Sequence, residues 1–197
     1  MTRRIRCLAL AALLATLAAC GSTPRSNFYD LSVVATPAAE GSYVSVQVGP
    51  VTVPASVDRQ QFVVSTGPNQ YTFDEYNRWA SPLDDAIADA LVGNLAALLG
   101  SPNVTTTAGG IADAGYRVGV QVQRFESRLD SSVNFEAAWV VKRLADGSVL
   151  SGRTVVQQPA PNGYPGLAIA YSQAVGRLAS EVAAAVRQLE ATPAAKK

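Results

Sequence analysis

Residues 81–102 constrain the fold more than any other stretch. Ser81-Pro82-Leu83-Asp84 reads as a helix start, with Ser81 as N-cap, Pro82 at the first position, and Asp84 and Asp85 where negative charge suits the helix dipole. Leu83, Ile87, Leu91, Leu95 and Leu98 recur at three and four residues, and Gly100 with Pro102 stops the pattern. One apolar stripe of this kind has to be covered, and the neighbouring sequence offers strands to cover it.

Upstream, Phe28 to Val34 is a first strand candidate. Tyr43 to Val53 alternates, with Val44, Val46 and Val48 on one face and Ser45, Gln47 and Gly49 on the other. Pro50 and Pro54 cannot donate to a ladder, so this strand ends near an edge or bends there. Gln61 to Thr66 and Gln70 to Phe73 flank Gly67-Pro68-Asn69 and read as a hairpin. Downstream, Thr105 to Gly115 is a turn-rich connector. Tyr116 to Leu129, Val133 to Leu144 and Ser148 to Gln158 then form three long strand candidates. The apolar parity changes between Val122 and Phe125, which places a bulge near Gln123 or Arg124. Gly166 to Leu189 carries a second helical stripe through Ile169, Val175, Leu178, Val182, Val186 and Leu189. The order predicts an α+β two-layer sandwich, mainly antiparallel, with two long helices on one face of the sheet. The other face is expected to be polar, with Arg117, Gln121, Gln123, Asn134, Glu136, Lys142, Thr154 and Gln158.

The amino terminus says where such a domain is sent. Arg3, Arg4 and Arg6 precede an apolar run that is too short for a stable membrane span and ends in small residues, which is a secretory signal. Leu17-Ala18-Ala19-Cys20 at its end looks like the lipobox of bacterial lipoproteins, in which Cys20 takes a thioether-linked diacylglycerol and an acyl chain such as palmitate. An ordinary signal peptide with a chance cysteine is the competing reading. The expected organisation of the 197 residues is a signal at 1–19, an acylated tether at 20–27, one domain at 28–190 and a tail at 191–197.

With the signal removed, 13 Lys and Arg remain of 16, against 15 Asp and Glu, so the mature chain has a net charge of −2 and offers no polybasic surface for nucleic acid. Two cysteines and no histidines narrow the chemistry further. Cys7 leaves with the signal and Cys20 is consumed by lipid. No disulfide, Cys or His metal site, or His-assisted nucleophile can then be built, and neither an enzyme nor a cofactor or metal site is expected.

Other chemical signals have plainer explanations. Asp84, Asp85 and Asp89 suit a helix start and its polar face better than a cation site. Gly109-Gly110 with Gly115 lacks both the lysine and the following helix of a phosphate loop. Asn103-Val104-Thr105 matches a glycosylation acceptor that a bacterial lipoprotein does not use by default.

The informative region is Val46 to Leu83. Val46-x-Val48-x-Pro50-Val51-x-Val53-Pro54-x-x-Val57-Asp58-Arg59-x-x-Phe62-Val63 is followed by Tyr76-x-Arg78-Trp79-Ala80-x-Pro82-Leu83, and Phe28-Tyr29-x-Leu31 stands soon after the lipobox. These motifs resemble the ABC-type transport auxiliary lipoproteins of the PqiC/YmbA type. Ala55-Ser56-Val57 stands where that family is usually more aromatic or leucine-rich.

The resemblance implies a role rather than a reaction. It points to a non-enzymatic accessory subunit of an MCE/ABC-type, Pqi-like intermembrane lipid transport system that supports envelope integrity. The implied location is the outer membrane, lipid-anchored and facing the periplasm, and Gly21 and Ser22 lack the aspartate of an inner-membrane retention signal. The implied partners are the membrane and an MCE-domain tunnel protein, with a homo-oligomeric ring as a further possibility. Asp58, Arg59, Arg78 and Trp79 are the candidate partner-binding residues, since Arg and Trp dominate interface energetics. The alternative for the first pair is an Asp58–Arg59 ion pair within a turn, and for Trp79 a place in the core. The alternative for the whole chain is a structural adaptor of another outer-membrane assembly or secretion complex.

Overall fold

The computed structural model describes residues 24–109 and 114–193; Leu17 to Cys20, Gly110 and the end of the tail lie outside them. In chain order the elements are β1 (Asn27–Tyr29), β2 (Val46–Thr52), β3 (Gln61–Gly67), β4 (Gln70–Trp79), α1 (Leu83–Leu99), β5 (Val104–Thr106), β6 (Tyr116–Arg128), β7 (Ser132–Arg143), β8 (Val149–Pro159) and α2 (Gly163–Ala191).

The eight strands form one curled sheet in which β6 is the axis. One edge of β6 pairs along its length with β7, which pairs in turn with β8, both antiparallel. Its other edge is shared: Tyr116 to Gln121 run parallel to β2, and Ser127 meets Val64 of β3. The sheet is mixed rather than mainly antiparallel. The pairs β1–β4, β2–β5, β2–β6 and β3–β6 are parallel, and β3–β4, β6–β7 and β7–β8 are antiparallel. Parallel neighbours need long crossovers, and the segments that bring β2 to β6 and β1 to β4 span the intervening elements.

The bulge falls between Val122 and Arg124, as the parity change requires. It turns Phe125 and Ser127 onto the helix side, where Phe125 stacks on Tyr171 of α2 at 3.7 Å and Ser127 Oγ lies 3.0 Å from the Tyr171 hydroxyl. The alternation of β2 is broken by a register shift between Val48 and Val51, around Gly49-Pro50, and past it only β6 is still a neighbour.

Both helices pack on one face. α1 buries Leu83, Ile87, Leu91, Leu95 and Leu99, together with Asn94; Leu99 rather than Leu98 closes the stripe. Pro82 is the N-cap and no side chain caps the helix, so Ser81 does not do so. α2 buries Val175, Leu178, Val182, Val186 and Leu189 but leaves Ile169 exposed. Its end is held by Arg143, which forms a two-pronged ion pair with Asp146 (3.0 and 2.6 Å) and donates to the carbonyls of Leu189 and Thr192. A cation there offsets the negative end of the helix dipole. Thr154 and Gln158 lie in register with Ala137 and Val133, so they face the helices rather than solvent, and Thr154 Oγ1 donates to Glu181 of α2 at 2.6 Å.

The expected first strand stops at Tyr29. Residues 30–42 instead form a strap across the two helices, on the side away from the sheet. Ser32 N–H donates to Ser172 Oγ (3.0 Å), and Val34 and Ala35 N–H both donate to Asn94 Oδ1 (3.0 and 2.9 Å). Further along, Ala38 N–H reaches the Ala97 carbonyl and Ser42 N–H that of Gly100, each at 2.8 Å. A Cβ at Gly93 would collide with Val33, and one at Gly176 with Val34, so the two glycines admit the strap. The connector after α1 contains β5, an extra strand alongside β2.

Candidate functional site

Asp58 and Arg59 sit in the loop between β2 and β3, where the Val57 and Asp58 amides donate to the Pro54 carbonyl at 3.0 and 3.2 Å. Both are exposed. Rather than pairing with Asp58, the Arg59 guanidinium lies over the ring of Phe73 on β4, 4.0 Å from its centroid. Arg78 donates through Nε to the Glu75 carbonyl at 2.7 Å and approaches the Glu75 carboxylate at 3.5 Å.

Register decides which way each side chain points. Gln61 opposes Arg78 and Val63 opposes Phe73, so Arg78 and Phe73 share a face. Phe28 opposes Arg78 from β1 and joins them there. Trp79, the next residue, points the other way and is only 2% exposed. It stacks on Phe62 at 4.2 Å and meets Phe125 and Tyr171 edge-on at 6.0 and 6.3 Å. The structure thus brings Arg59 and Arg78 to one outer surface, with Asp58 beside Arg59 in the same loop, and places Trp79 in the core at the entrance to α1.

Asp74 gave no signal in the sequence. Its carboxylate accepts the Tyr164 hydroxyl at 2.8 Å and the Tyr76 and Asn77 amides, each at 2.8 Å. It thereby fixes the irregular stretch of β4 between Asp74 and Arg78 to the first turn of α2. Burial alone would raise its pKa, but the hydrogen bonds from Tyr164, Tyr76 and Asn77 outweigh that and hold it below the usual carboxylate value. Burial and the bond to Asp74 push the Tyr164 hydroxyl up. A depressed folded pKa contributes stability above the unfolded value of about 3.9, and this is lost as pH falls through the folded value. Asp74→Asn is therefore expected to be less stable at pH 7 and to lose less stability between pH 5 and pH 2 than the wild type, as measured by urea midpoints across that range.

A hollow of about 400 Å³ beside the loop is lined in part by Val57, Tyr71, Arg124 and Arg128. Its cations already have acidic neighbours, Arg124 with Glu136 at 3.5 Å and Arg128 with Glu126 at 3.2 Å, which leaves little free charge for an anion. Among the described residues there is no group of His, Cys, Asp and Glu arranged to hold a metal, and no helix is long and apolar enough to cross a membrane.

A two-layer α+β domain with Arg59 and Arg78 on one outer surface, behind a sequence that ends in Leu17-Ala18-Ala19-Cys20, has the make-up of a small lipoprotein. Residues 29–183 match the family described as ABC-type transport auxiliary lipoprotein component, and the chain belongs to that family. It is 31% identical over 130 residues to the intermembrane transport lipoprotein PqiC of Escherichia coli, covering 64% of this chain and 68% of that protein, and the Shigella flexneri PqiC matches equally. Two crystal structures share the fold. One, of an uncharacterized protein, has a TM-score of 0.67 at 21% identity over 83% of this chain and 99% of its own. The other, from Xanthomonas campestris, has a TM-score of 0.66 at 19% identity over 84% and 100%.

Proposed function

We propose that this chain is a non-enzymatic accessory subunit of an MCE/ABC-type intermembrane lipid transport system, anchored in the outer membrane through acylated Cys20, facing the periplasm and supporting envelope integrity. The observation that carries the reading is the family match across residues 29–183, behind a sequence ending in Leu17-Ala18-Ala19-Cys20. Its partner is an MCE-domain tunnel protein, and a ring of copies would match a tunnel of several subunits.

Asp58 and Arg59 are the residues we assign to the tunnel protein, since both are exposed on an ordered loop and Arg59 is pre-positioned on Phe73. Trp79 supports that surface from inside. A planar, directed donor at an interface centre is worth about 1–2 kcal/mol, or roughly tenfold in affinity. Arg59→Ala is expected to lower recovery of the tunnel protein by about that factor in pull-downs quantified against the wild type, with an unchanged unfolding midpoint. Equal recovery would remove Arg59 from the interface.

A further inference from the structure

We infer that the free edge of β1, at Phe28 and the neighbouring Tyr76, lies on the membrane that holds the anchor, with phospholipid headgroups as its occupant. The inference rests on acylation of Cys20 and goes beyond it, because a lipoprotein on a tether can equally stand clear of its bilayer.

Chain length makes the first part of the argument. Six residues lie between Cys20 and Asn27, the first residue of β1, and the seven Cα–Cα steps span at most ~25 Å when fully extended. The edge formed by β1 and the end of β4 therefore stays within about that distance of the residue that bears the acyl chains.

That edge has the chemistry of a membrane interface. Phe28 is 63% exposed and Tyr76, next to the Asn27–Asn77 pair, is 40% exposed. Exposed rings suit the headgroup level of a bilayer, where tyrosine in particular is enriched. Arg78 lies directly across from Phe28 but is held by Glu75, its Nε donating to the Glu75 carbonyl at 2.7 Å and its guanidinium 3.5 Å from the carboxylate, so the cation this edge offers is the exposed Arg25 that precedes β1. Arginine beside exposed rings suits anionic headgroups, whose charge attracts cations held at the surface. The edge of β1 is also short, three residues, and is tied to β4 by Asn77, which accepts from Asn27 Nδ2 at 3.2 Å and from the Tyr29 hydroxyl at 2.9 Å. Tyr29 turns inward against Phe62, which leaves Phe28 as the residue this strand presents outward.

The test uses the lack of any other thiol in the mature chain. Phe28→Cys, Tyr76→Cys and, as a distant reference on the outer face of β8, Val155→Cys are made in the full acylated protein, spin-labelled, and reconstituted into vesicles of phosphatidylethanolamine and phosphatidylglycerol. Acylation is checked by mass spectrometry and flotation. The expected result is a several-fold lower collision rate with a water-soluble nickel complex, and a higher rate with oxygen, at positions 28 and 76 relative to 155. Exchange of phosphatidylglycerol for phosphatidylcholine should reduce the difference. Equal nickel accessibility at all three positions in protein that floats with the vesicles overturns the inference. So does protection of position 28 in detergent without vesicles, which would mean that a second copy covers it. Absence of acylation or flotation would instead refute the anchor.

Discussion

Replacing Trp79 with alanine is expected to lower the unfolding free energy by about 3–5 kcal/mol, the cost of emptying a large, well-packed aromatic site. The indole is enclosed by rings from three other elements: Phe62 of β3, Phe125 of β6 and Tyr171 of α2. Phe125 and Tyr171 are themselves stacked, so the ring of Trp79 joins the β3–β4 hairpin to the part of the sheet built on β6. Trp79→Phe keeps most of the apolar area and should cost less than half as much. Arg78→Ala, one residue away on the opposite face, should lower the unfolding free energy by no more than about 1 kcal/mol, since it loses one surface hydrogen bond to the Glu75 carbonyl and one weak ion pair. Urea unfolding of the three variants checks this. A Trp79→Ala loss below about 1 kcal/mol would mean that the ring cluster is not what holds the hairpin.

The second large effect is expected at Asn94. Its side chain is fully buried, accepts the Val34 and Ala35 amides and donates through Nδ2 to the Ala90 carbonyl at 2.7 Å. Asn94→Ala strips both strap amides of their acceptor, and with about 1–3 kcal/mol for each group left unsatisfied the loss should be about 2–6 kcal/mol. Part of it should appear as local opening, because Ser32 N–H remains on Ser172 and Ala38 N–H on Ala97. Hydrogen exchange should accelerate at Val34 and Ala35 while the amides of β7 keep their protection. Uniform acceleration through β7 would show instead that the strap and the sheet open as one unit.

These two residues show where sequence reasoning reached and where it stopped. The long strands were legible because period-two alternation is local, and the bulge at Gln123–Arg124 followed from a switch in that parity. Helix stripes were legible for the same reason. Parallel pairings were not, since neither β2–β6 nor β1–β4 is announced by a turn, and counting strands joined by short turns led to a mainly antiparallel sheet. The strap read as a strand because Val33 and Val34 are β-branched; its partners, Asn94 and Ser172, stand 60 and 140 residues from the amides they bind. Asn94 itself gave no signal, because a polar residue in a helix pattern is ordinarily read as solvent-facing. At the candidate site the resemblance singled out Arg78 and Trp79 together, whereas neighbouring residues on a strand face opposite ways, so only one of them could be presented. The position of Arg59 over Phe73 depends on the β3–β4 register and was beyond reach of sequence pattern.

Service to an intermembrane lipid transporter is read from what this lipoprotein holds in the envelope. The full-length, tagged protein is isolated from detergent-solubilised envelopes after mild cross-linking, and its companions are quantified by mass spectrometry against a Cys20→Ser control that lacks the acylation site. An MCE-domain protein and its ABC-transporter membrane subunit are expected at near-stoichiometric levels, both reduced in the control. Recovery of secretion or assembly machinery in their place, with no MCE-domain protein, would contradict that role.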